Sequence, residues 1–188
     1  MKEVILSFAF AALMINAFAQ TKKTTSSNPI AKPASSGKQK DKSFSVLNKN
    51  FLDPGIGLGT YYKGLPFGVS FEHGFTDNIS AGAFVNYSSY NYADFGFKLN
   101  ITYFGIRGSY HFANLLNVTN PKFDPYGGVS LGYYNVSFNG DTFGSPYSSA
   151  VFPGVYAGAR YMLSDHIGGF AEVGYGVSAL RIGASFKF

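Results

Sequence analysis

The sequence predicts an all-β fold, namely an eight-stranded antiparallel barrel that crosses a membrane. Three observations lead to this fold class. Apolar residues alternate with other residues along most of residues 51–188, which is the two-residue period of β-strands. The face opposite the apolar residues is rich in Gly and Ser, and only 13% of all residues are charged. Turn residues also divide this region into eight stretches, each long enough to cross a bilayer as a tilted strand.

The composition of the two strand faces places the apolar face outside. A soluble β-protein buries its apolar face and presents a charged face to water. Here the second face is too sparsely charged for a solvated exterior, but its small side chains fit the crowded interior of a narrow barrel. We therefore expect the bulky residues to contact lipid, in a sheet whose closure leaves no unpaired edge in the hydrocarbon.

Residues 1–19 have the features of a secretory signal peptide. Lys2 is followed by an apolar run from Val4 to Ile15 and then by Ala17-Phe18-Ala19, an A-x-A cleavage site. The alternative is a transmembrane anchor, but the run is shorter than the roughly 20 residues that span a bilayer. We expect cleavage after Ala19, with Ala17 and Ala19 as the recognised small residues, and export of the remaining chain.

Residues 20–50 are rich in Ser, Thr, Lys and Pro and are predicted to form a disordered tail. The tail has seven lysines and one aspartate, a charge of +6, whereas residues 51–188 have seven basic and eight acidic residues, a charge of −1. The net charge of +5 therefore does not describe the barrel, and it gives no support for nucleic-acid binding. The tail could bind anionic head groups, but we favour a solvated spacer on its composition.

The eight strands are bounded by turn residues and by the alternation itself. Their expected ranges are 54–61, 66–75, 79–89, 98–112, 124–137, 150–163, 167–176 and 179–188. The alternation is clearest in the second, fourth, sixth and eighth strands, which have apolar faces at Phe67-Val69-Phe71, Phe104-Ile106-Tyr110, Val151-Val155-Leu163 and Ile182-Phe186-Phe188. An even number of strands brings both chain ends to one side of the membrane.

The connections differ in length between the two sides. Turns are expected at residues 76–78, 114–122 and 164–166 on the side of the chain ends, and loops at residues 62–65, 90–97, 138–149 and 177–178 on the other. Loops 90–97 and 138–149 are the longest connections on their side. They are candidates for contact with a surface ligand.

Four stretches of the chain carry a resemblance to a known family. They are SFEHGFTDNIS at residues 70–80, YFGIRGSYHF at 103–112, FAEVGYG at 170–176 and IGASFKF at 182–188. In these stretches, residues 51–188 resemble the eight-stranded outer-membrane barrels of OmpX/OmpA type, particularly versions from Bacteroidetes. The resemblance implies an integral protein of a Gram-negative outer membrane that contacts outer-membrane lipids and has a periplasmic N-terminal tail.

The C-terminal strand is similar to the signal that the barrel-assembly machinery reads in this family. Its residues here would be Ile182, Ala184, Phe186 and Phe188. The simpler interpretation is a final lipid-facing strand, and both interpretations can hold. The resemblance thus implies the assembly machinery as a partner during biogenesis.

Six charged residues are expected to point into the barrel because of their position in the alternation. They are Glu72, Arg107, Arg160, Glu172, Arg181 and Lys187. Charges in a low-dielectric interior need partners, so we expect a paired network. Such a network can line a narrow ion path, but eight strands enclose little more than the volume of their own side chains. We therefore favour a structural plug.

Catalytic, metal and cofactor sites are not expected. The absence of cysteine excludes disulfides, thiolate metal sites and a lipoprotein anchor. Some barrels that resemble this one in size act on lipid A, and the deacylase type is recognised by a His-x-Ser pair, which His73, His111 and His166 all lack. A Ser–His–acid group can then arise only in space. The expected role is structural or adhesive, the alternative is a narrow pore for ions or small solutes, and a lipid A-modifying enzyme is least favoured.

Overall fold

A computed structural model describes residues 43–59, 64–92, 97–139 and 149–188. They form the strands β1 (Asn50–Leu58), β2 (Phe67–Gly74), β3 (Ile79–Tyr92), β4 (Phe97–His111), β5 (Phe123–Asn139), β6 (Ala150–Met162), β7 (Ile167–Tyr175) and β8 (Leu180–Lys187). Each strand is antiparallel to the next in sequence, and β1 also pairs with β8, so the sheet closes. The predicted closed, eight-stranded antiparallel barrel is confirmed. Across the described ranges, no helix is long and apolar enough to cross a bilayer.

Strand β1 begins at Asn50, four residues before its predicted start. Pro54, the first residue of the predicted range, lies within β1, opposite Val69 of β2. The same strand pairs with β8 from Phe51–Lys187 onward. The other seven strands begin and end within three residues of the predicted ranges.

The two ends of the barrel are distinguished by their connections. The terminal end contains the start of β1, the end of β8 and the connections β2–β3, β4–β5 and β6–β7. The loop end contains the other four connections. Residues 93–96 and 140–148 lie outside the described residues, so the predicted loops 90–97 and 138–149 are described only at their flanks, where β3 extends to Tyr92 and β5 to Asn139.

Apolar side chains cover the outer surface of the barrel. Ile106, Val129 and Val151 are each more than 60% exposed, whereas Arg107 and Ser109 on the neighbouring inward positions of β4 are buried. This phase agrees with the predicted alternation. A continuous exposed apolar surface of this kind marks contact with another apolar phase or a partner.

The lumen is filled in three layers. An apolar cluster at the terminal end contains Phe44, Val46, Phe51, Ala113 and Met162. A second apolar cluster, towards the loop end, contains Leu99, Ile101 and Tyr103, packed by Phe84, Tyr134, Val136, Phe152 and Val177. Charged and hydroxyl side chains occupy the middle layer between these two clusters.

Residues 43–49, which we call the stopper, fill the terminal mouth ahead of β1. Phe44 and Val46 are 3% and 0% exposed. Asn48 N donates to the Gly74 carbonyl at 2.9 Å, and Gly74 N donates to the Lys49 carbonyl at the same distance. A Cβ at Gly74 would collide with the Val46 carbonyl, so this contact requires glycine.

The stopper corrects the predicted extent of the tail. Residues 43–49 fall within the range 20–50 assigned to disorder, but they pack into the barrel because Phe44 and Val46 share one face and reach the lumen. Residues 20–42 lie outside the described residues. A low overall content of apolar residues therefore does not exclude a short ordered segment whose few apolar side chains are buried.

Candidate functional site

Arg160 of β6 is the centre of a buried ionic network in the middle layer. Its Nη1 donates to Asp124 Oδ2 at 2.8 Å and its Nη2 to Asp53 Oδ2 at 2.7 Å. The guanidinium carbon lies 4.2 Å from the ring centroid of Phe51 and 4.9 Å from that of Tyr126. Two carboxylates and two aromatic faces therefore compensate one fully buried cation.

Arg107 of β4 joins two glutamates in the same layer. Its Nε lies 2.9 Å from Glu72 Oε1, and its Nη2 donates to Glu172 Oε1 at 2.5 Å. The other oxygen of Glu172 accepts from Arg181 Nη1 at 3.3 Å. Arg181 Nη2 donates to the Asp53 backbone carbonyl at 2.5 Å. The Arg107 and Arg160 parts of the network are therefore connected through β1.

Hydroxyl groups donate further hydrogen bonds to both glutamates. Glu72 Oε2 accepts from Ser80 Oγ at 2.5 Å and from Ser109 Oγ at 2.7 Å. Tyr126 OH donates to Glu172 Oε1 at 3.0 Å. Because hydrogen bonds to a carboxylate are stronger than those between neutral groups, these contacts offset part of the cost of burying the charges.

Ser80, His111 and Asp124 lie in the order nucleophile, base and acid that serine hydrolases use. His111 Nε2 is 2.9 Å from Ser80 Oγ, and Nδ1 is 2.8 Å from Asp124 Oδ1. All three side chains are enclosed, however, with exposed fractions of 0%, 1% and 0%. The Ser80 hydroxyl is also held by the Glu72 carboxylate. The group has the order of a triad without an exposed nucleophile.

The structure brings together five of the six residues predicted to form a lumen charge network. Glu72, Arg107, Arg160, Glu172 and Arg181 all belong to the ionic network described above. Lys187 does not, and its placement there is corrected. As the last residue of β8, it lies at the rim, where its Nζ is 5.7 Å from the Phe44 ring of the stopper. Among the described residues, its ammonium group forms no ion pair with the buried carboxylates.

Asp53 and Asp124 are two network residues that the sequence reasoning missed. Each lies at or before the predicted start of its strand, where an aspartate resembles a turn residue. The alternation could have identified Asp124, because it is two residues from Tyr126 and therefore shares its inward-facing side of β5. Asp53 required knowledge that β1 continues through Pro54.

A cavity of about 60 Å³ lies on the loop-end side of the network. Its lining includes Asn86, Arg107, Tyr156, Glu172 and Arg181. Within the described part of the chain, no cluster of three or more His, Asp or Glu side chains is placed to hold a metal ion. The site is a compact ionic network of hydrogen-bonded side chains beside this cavity.

The residues of the predicted assembly signal lie along the outer face of β8. Ile182, Phe186 and Phe188 are 40%, 39% and 62% exposed, and Ala184 is half-buried. Phe188 also exchanges backbone hydrogen bonds with Asn50 at 2.8 and 3.0 Å. The predicted cleavage residues Ala17 and Ala19 lie outside the described residues.

Comparison with solved structures identifies the fold. The N-terminal β-barrel domain of Pseudomonas aeruginosa OprF superimposes with a TM-score of 0.54 at 17% identity, covering 75% of this chain and 98% of that one. Neisserial surface protein A gives a TM-score of 0.51 at 17% identity, covering 74% of this chain and 96% of that one. No family model and no curated protein matches the sequence. The chain therefore has the fold of the eight-stranded outer-membrane β-barrels.

Proposed function

We propose that this protein is an integral outer-membrane barrel with a structural or surface-interaction role and a closed lumen. The observation that carries this proposal is the inverted distribution of side chains. Bulky apolar residues such as Ile106 and Val129 face outward, while three arginines and four carboxylates are enclosed. Such an exterior is stable in lipid and unfavourable in water.

The filled lumen supports a plug in preference to an open channel. The stopper occupies the terminal mouth, the ionic network occupies the middle, and the Leu99 cluster lies towards the loop end. Eight-stranded barrels have an interior just wide enough for side chains to fill it. Passage of an ion would require displacement of the salt bridges around Arg107 and Arg160.

The work of a plugged barrel then falls to its ends. We assign recognition or adhesion to the loop end, through loops 90–97 and 138–149. The strands that flank these loops include the three longest of the described barrel, β3, β4 and β5, at 14, 15 and 17 residues. The tail would lie in the periplasm, and the outer face of β8 would be read by the assembly machinery.

Planar-bilayer conductance of the folded protein tests this proposal. Insertion is first established by a mobility shift between boiled and unboiled samples, because a closed barrel resists SDS until it is heated. We expect inserted protein without steady unitary conductance. A steady conductance that is lost in Arg107→Gln and Arg160→Gln variants would replace the plug with the alternative, a narrow pore through the 60 Å³ cavity.

Enzymatic activity is the third candidate, and one observation bears on it. Ser80, His111 and Asp124 have triad order, but the serine is enclosed and its hydroxyl is engaged by Glu72. A triad serine needs access to its substrate and a free direction of attack. We therefore propose no catalytic role. Two results together would contradict this: lipid A with an altered acyl-chain pattern in cells that express the protein, and a normal pattern in cells that express the Ser80→Ala variant.

A further inference from the structure

The charge of the His111 side chain follows from the hydrogen-bond partners of its two ring nitrogens. Its Nδ1 faces both oxygens of Asp124, at 2.8 and 2.9 Å. Its Nε2 faces Ser80 Oγ at 2.9 Å. The side chain is 1% exposed, so bulk water cannot replace these hydrogen-bond partners. Each ring nitrogen must therefore match the oxygen that it faces.

Nδ1 must carry a hydrogen. Asp124 Oδ2 accepts from Arg160 Nη1 at 2.8 Å, and a carboxylate paired with a guanidinium group only accepts hydrogen bonds. An unprotonated Nδ1 would place its lone pair against two acceptor oxygens. The contact with Asp124 thus requires His111 to donate from Nδ1.

Nε2 faces an oxygen whose own hydrogen is already used. Ser80 Oγ lies 2.5 Å from Glu72 Oε2, closer than it lies to the histidine. Glu72 also accepts from Ser109 Oγ at 2.7 Å and lies 2.9 Å from Arg107 Nε, which marks it as an ionised acceptor. The single Ser80 hydrogen therefore goes to Glu72, and Nε2 must donate to Ser80 Oγ.

We propose that His111 is a buried proton-binding site, with both ring nitrogens protonated at neutral pH. The charge count of the described network calls for one such proton, and the hydrogen-bond geometry places it on the imidazole. Four carboxylates are paired with three guanidinium groups, which leaves one negative charge uncompensated; they are Asp53, Glu72, Asp124 and Glu172 against Arg107, Arg160 and Arg181. An imidazolium at His111 makes the network neutral.

The surroundings of His111 contain no other cation within the described contacts that serves the same purpose. The charged groups around it are already in the charge count; they are Glu72 on β2, Arg107 on β4, Asp124 on β5 and Arg160 on β6. The other groups around it are neutral; they are Ser80 on β3, Ser109 on β4, Tyr126 on β5 and Tyr156 on β6. Lys49 and Lys187 lie beside the stopper, with their Nζ atoms 5.9 and 5.7 Å from the centroid of the Phe44 ring. Removal of the His111 proton therefore leaves a net buried charge, which is costly in a low-dielectric interior.

The protonation state can be read directly by NMR of the ¹⁵N-labelled intact barrel at pH 7. The two nitrogens of an imidazolium have similar ¹⁵N shifts, whereas a neutral ring has one protonated and one unprotonated nitrogen with very different shifts. Signals of His73, His111 and His166 are assigned by their individual replacement with Gln. We expect the imidazolium pattern for His111. A neutral pattern at this residue would overturn the proposal.

A pair of aspartate variants tests whether charge balance holds the proton. Asp124→Asn removes one buried negative charge, so His111 should change to the neutral pattern. Asp165→Asn removes a carboxylate from the exposed turn after β6 and should leave His111 protonated. A His111 that stays doubly protonated in Asp124→Asn would contradict the charge count.

Stability supplies a second readout with a compensating variant. His111→Gln leaves the network with one excess negative charge, and we expect the unfolding equilibrium constant to rise about a hundredfold. Adding Asp124→Asn restores neutrality and should recover most of this loss. A double variant as unstable as the sum of the two single variants would show that the proton does not balance the network.

Discussion

Replacement of Arg160 by methionine is the perturbation for which the structure predicts the largest loss of stability. The side chain is fully buried, and its guanidinium donates to Asp53 and Asp124 at 2.7 and 2.8 Å. Methionine preserves much of the volume against Phe51 and Tyr126 but leaves two carboxylates without their cation. Breaking a buried ion pair by removing one partner costs about 3–5 kcal/mol. We expect Arg160→Met to fall at the upper end of this range, because two carboxylates lose their partner.

The same physics predicts a rescue. Arg160→Met combined with Asp53→Asn and Asp124→Asn removes the uncompensated charges, and replacing a whole buried ionic group with neutral side chains is often close to neutral. The assay is urea unfolding in lipid vesicles followed by tyrosine fluorescence, with Lys187→Met as the control at an inward position outside the network. A loss below about 1 kcal/mol in the single variant, or a triple variant no more stable than the single one, would refute the reasoning.

Three further predictions concern the stopper, the barrel wall and the outer face. Phe44→Ala should open the terminal mouth and raise the rate of peroxide oxidation at Met162, the only methionine after residue 14, about tenfold or more, as read by mass spectrometry. Gly82→Ala should abolish the heat-modifiable mobility shift, because a Cβ would collide with the Phe71 carbonyl of β2. Val129→Arg, at a position 63% exposed, should destabilise the barrel in vesicles by about 2–4 kcal/mol.

Each of these predictions has a matched control in the same chain. Leu47→Ala alters an exposed stopper residue and should leave Met162 oxidation unchanged. Gly108→Ala places a Cβ 3.9 Å from its nearest neighbour and should keep the mobility shift. Val129→Leu should retain stability. Equal oxidation in both stopper variants, a normal shift in Gly82→Ala, or a tolerated arginine at residue 129 would each count against the structure proposed.

The wall of the barrel could be predicted from the sequence because it depends on a local signal. Bulky and small residues alternate along the whole of β4 and β6, so the faces and ranges of these strands follow from a period of two. The start of β1 is harder, since residues 50–53 are held in the strand by their pairing with β2 and β8. Pairing between strands that are far apart in the sequence cannot be inferred from the composition of one segment.

The lumen could be predicted only in part. Parity places Glu72, Arg107 and Glu172 inside, but it does not reveal which partners meet across the barrel. That depends on strand stagger, which brings residues as distant as Asp53 and Arg160 to 2.7 Å. The triad order of Ser80, His111 and Asp124 likewise combines three strands and has no sequence spacing.

The stopper was concealed by the composition around it. Phe44 and Val46 are two apolar residues at the end of a polar, lysine-rich segment, and composition averages over them. Their burial depends on a mouth formed by Phe51, Ala113 and Met162, which lie far apart in sequence. Only the assembled barrel creates the site that orders residues 43–49.

The central claim, an apolar face turned outward to lipid around an enclosed polar lumen, is tested most directly by spin-label accessibility along β5. The chain contains no cysteine, so single cysteines can be placed at Val129, Ser130, Leu131 and Tyr133 without a background. Gly128 and Gly132 are left unchanged, because a Cβ there would collide with neighbouring atoms. In vesicles, labels at Val129, Leu131 and Tyr133 should be reached by oxygen from the lipid phase, and the label at Ser130 should be protected from it. Alternation with the opposite phase, or equal access along the strand, would contradict the account.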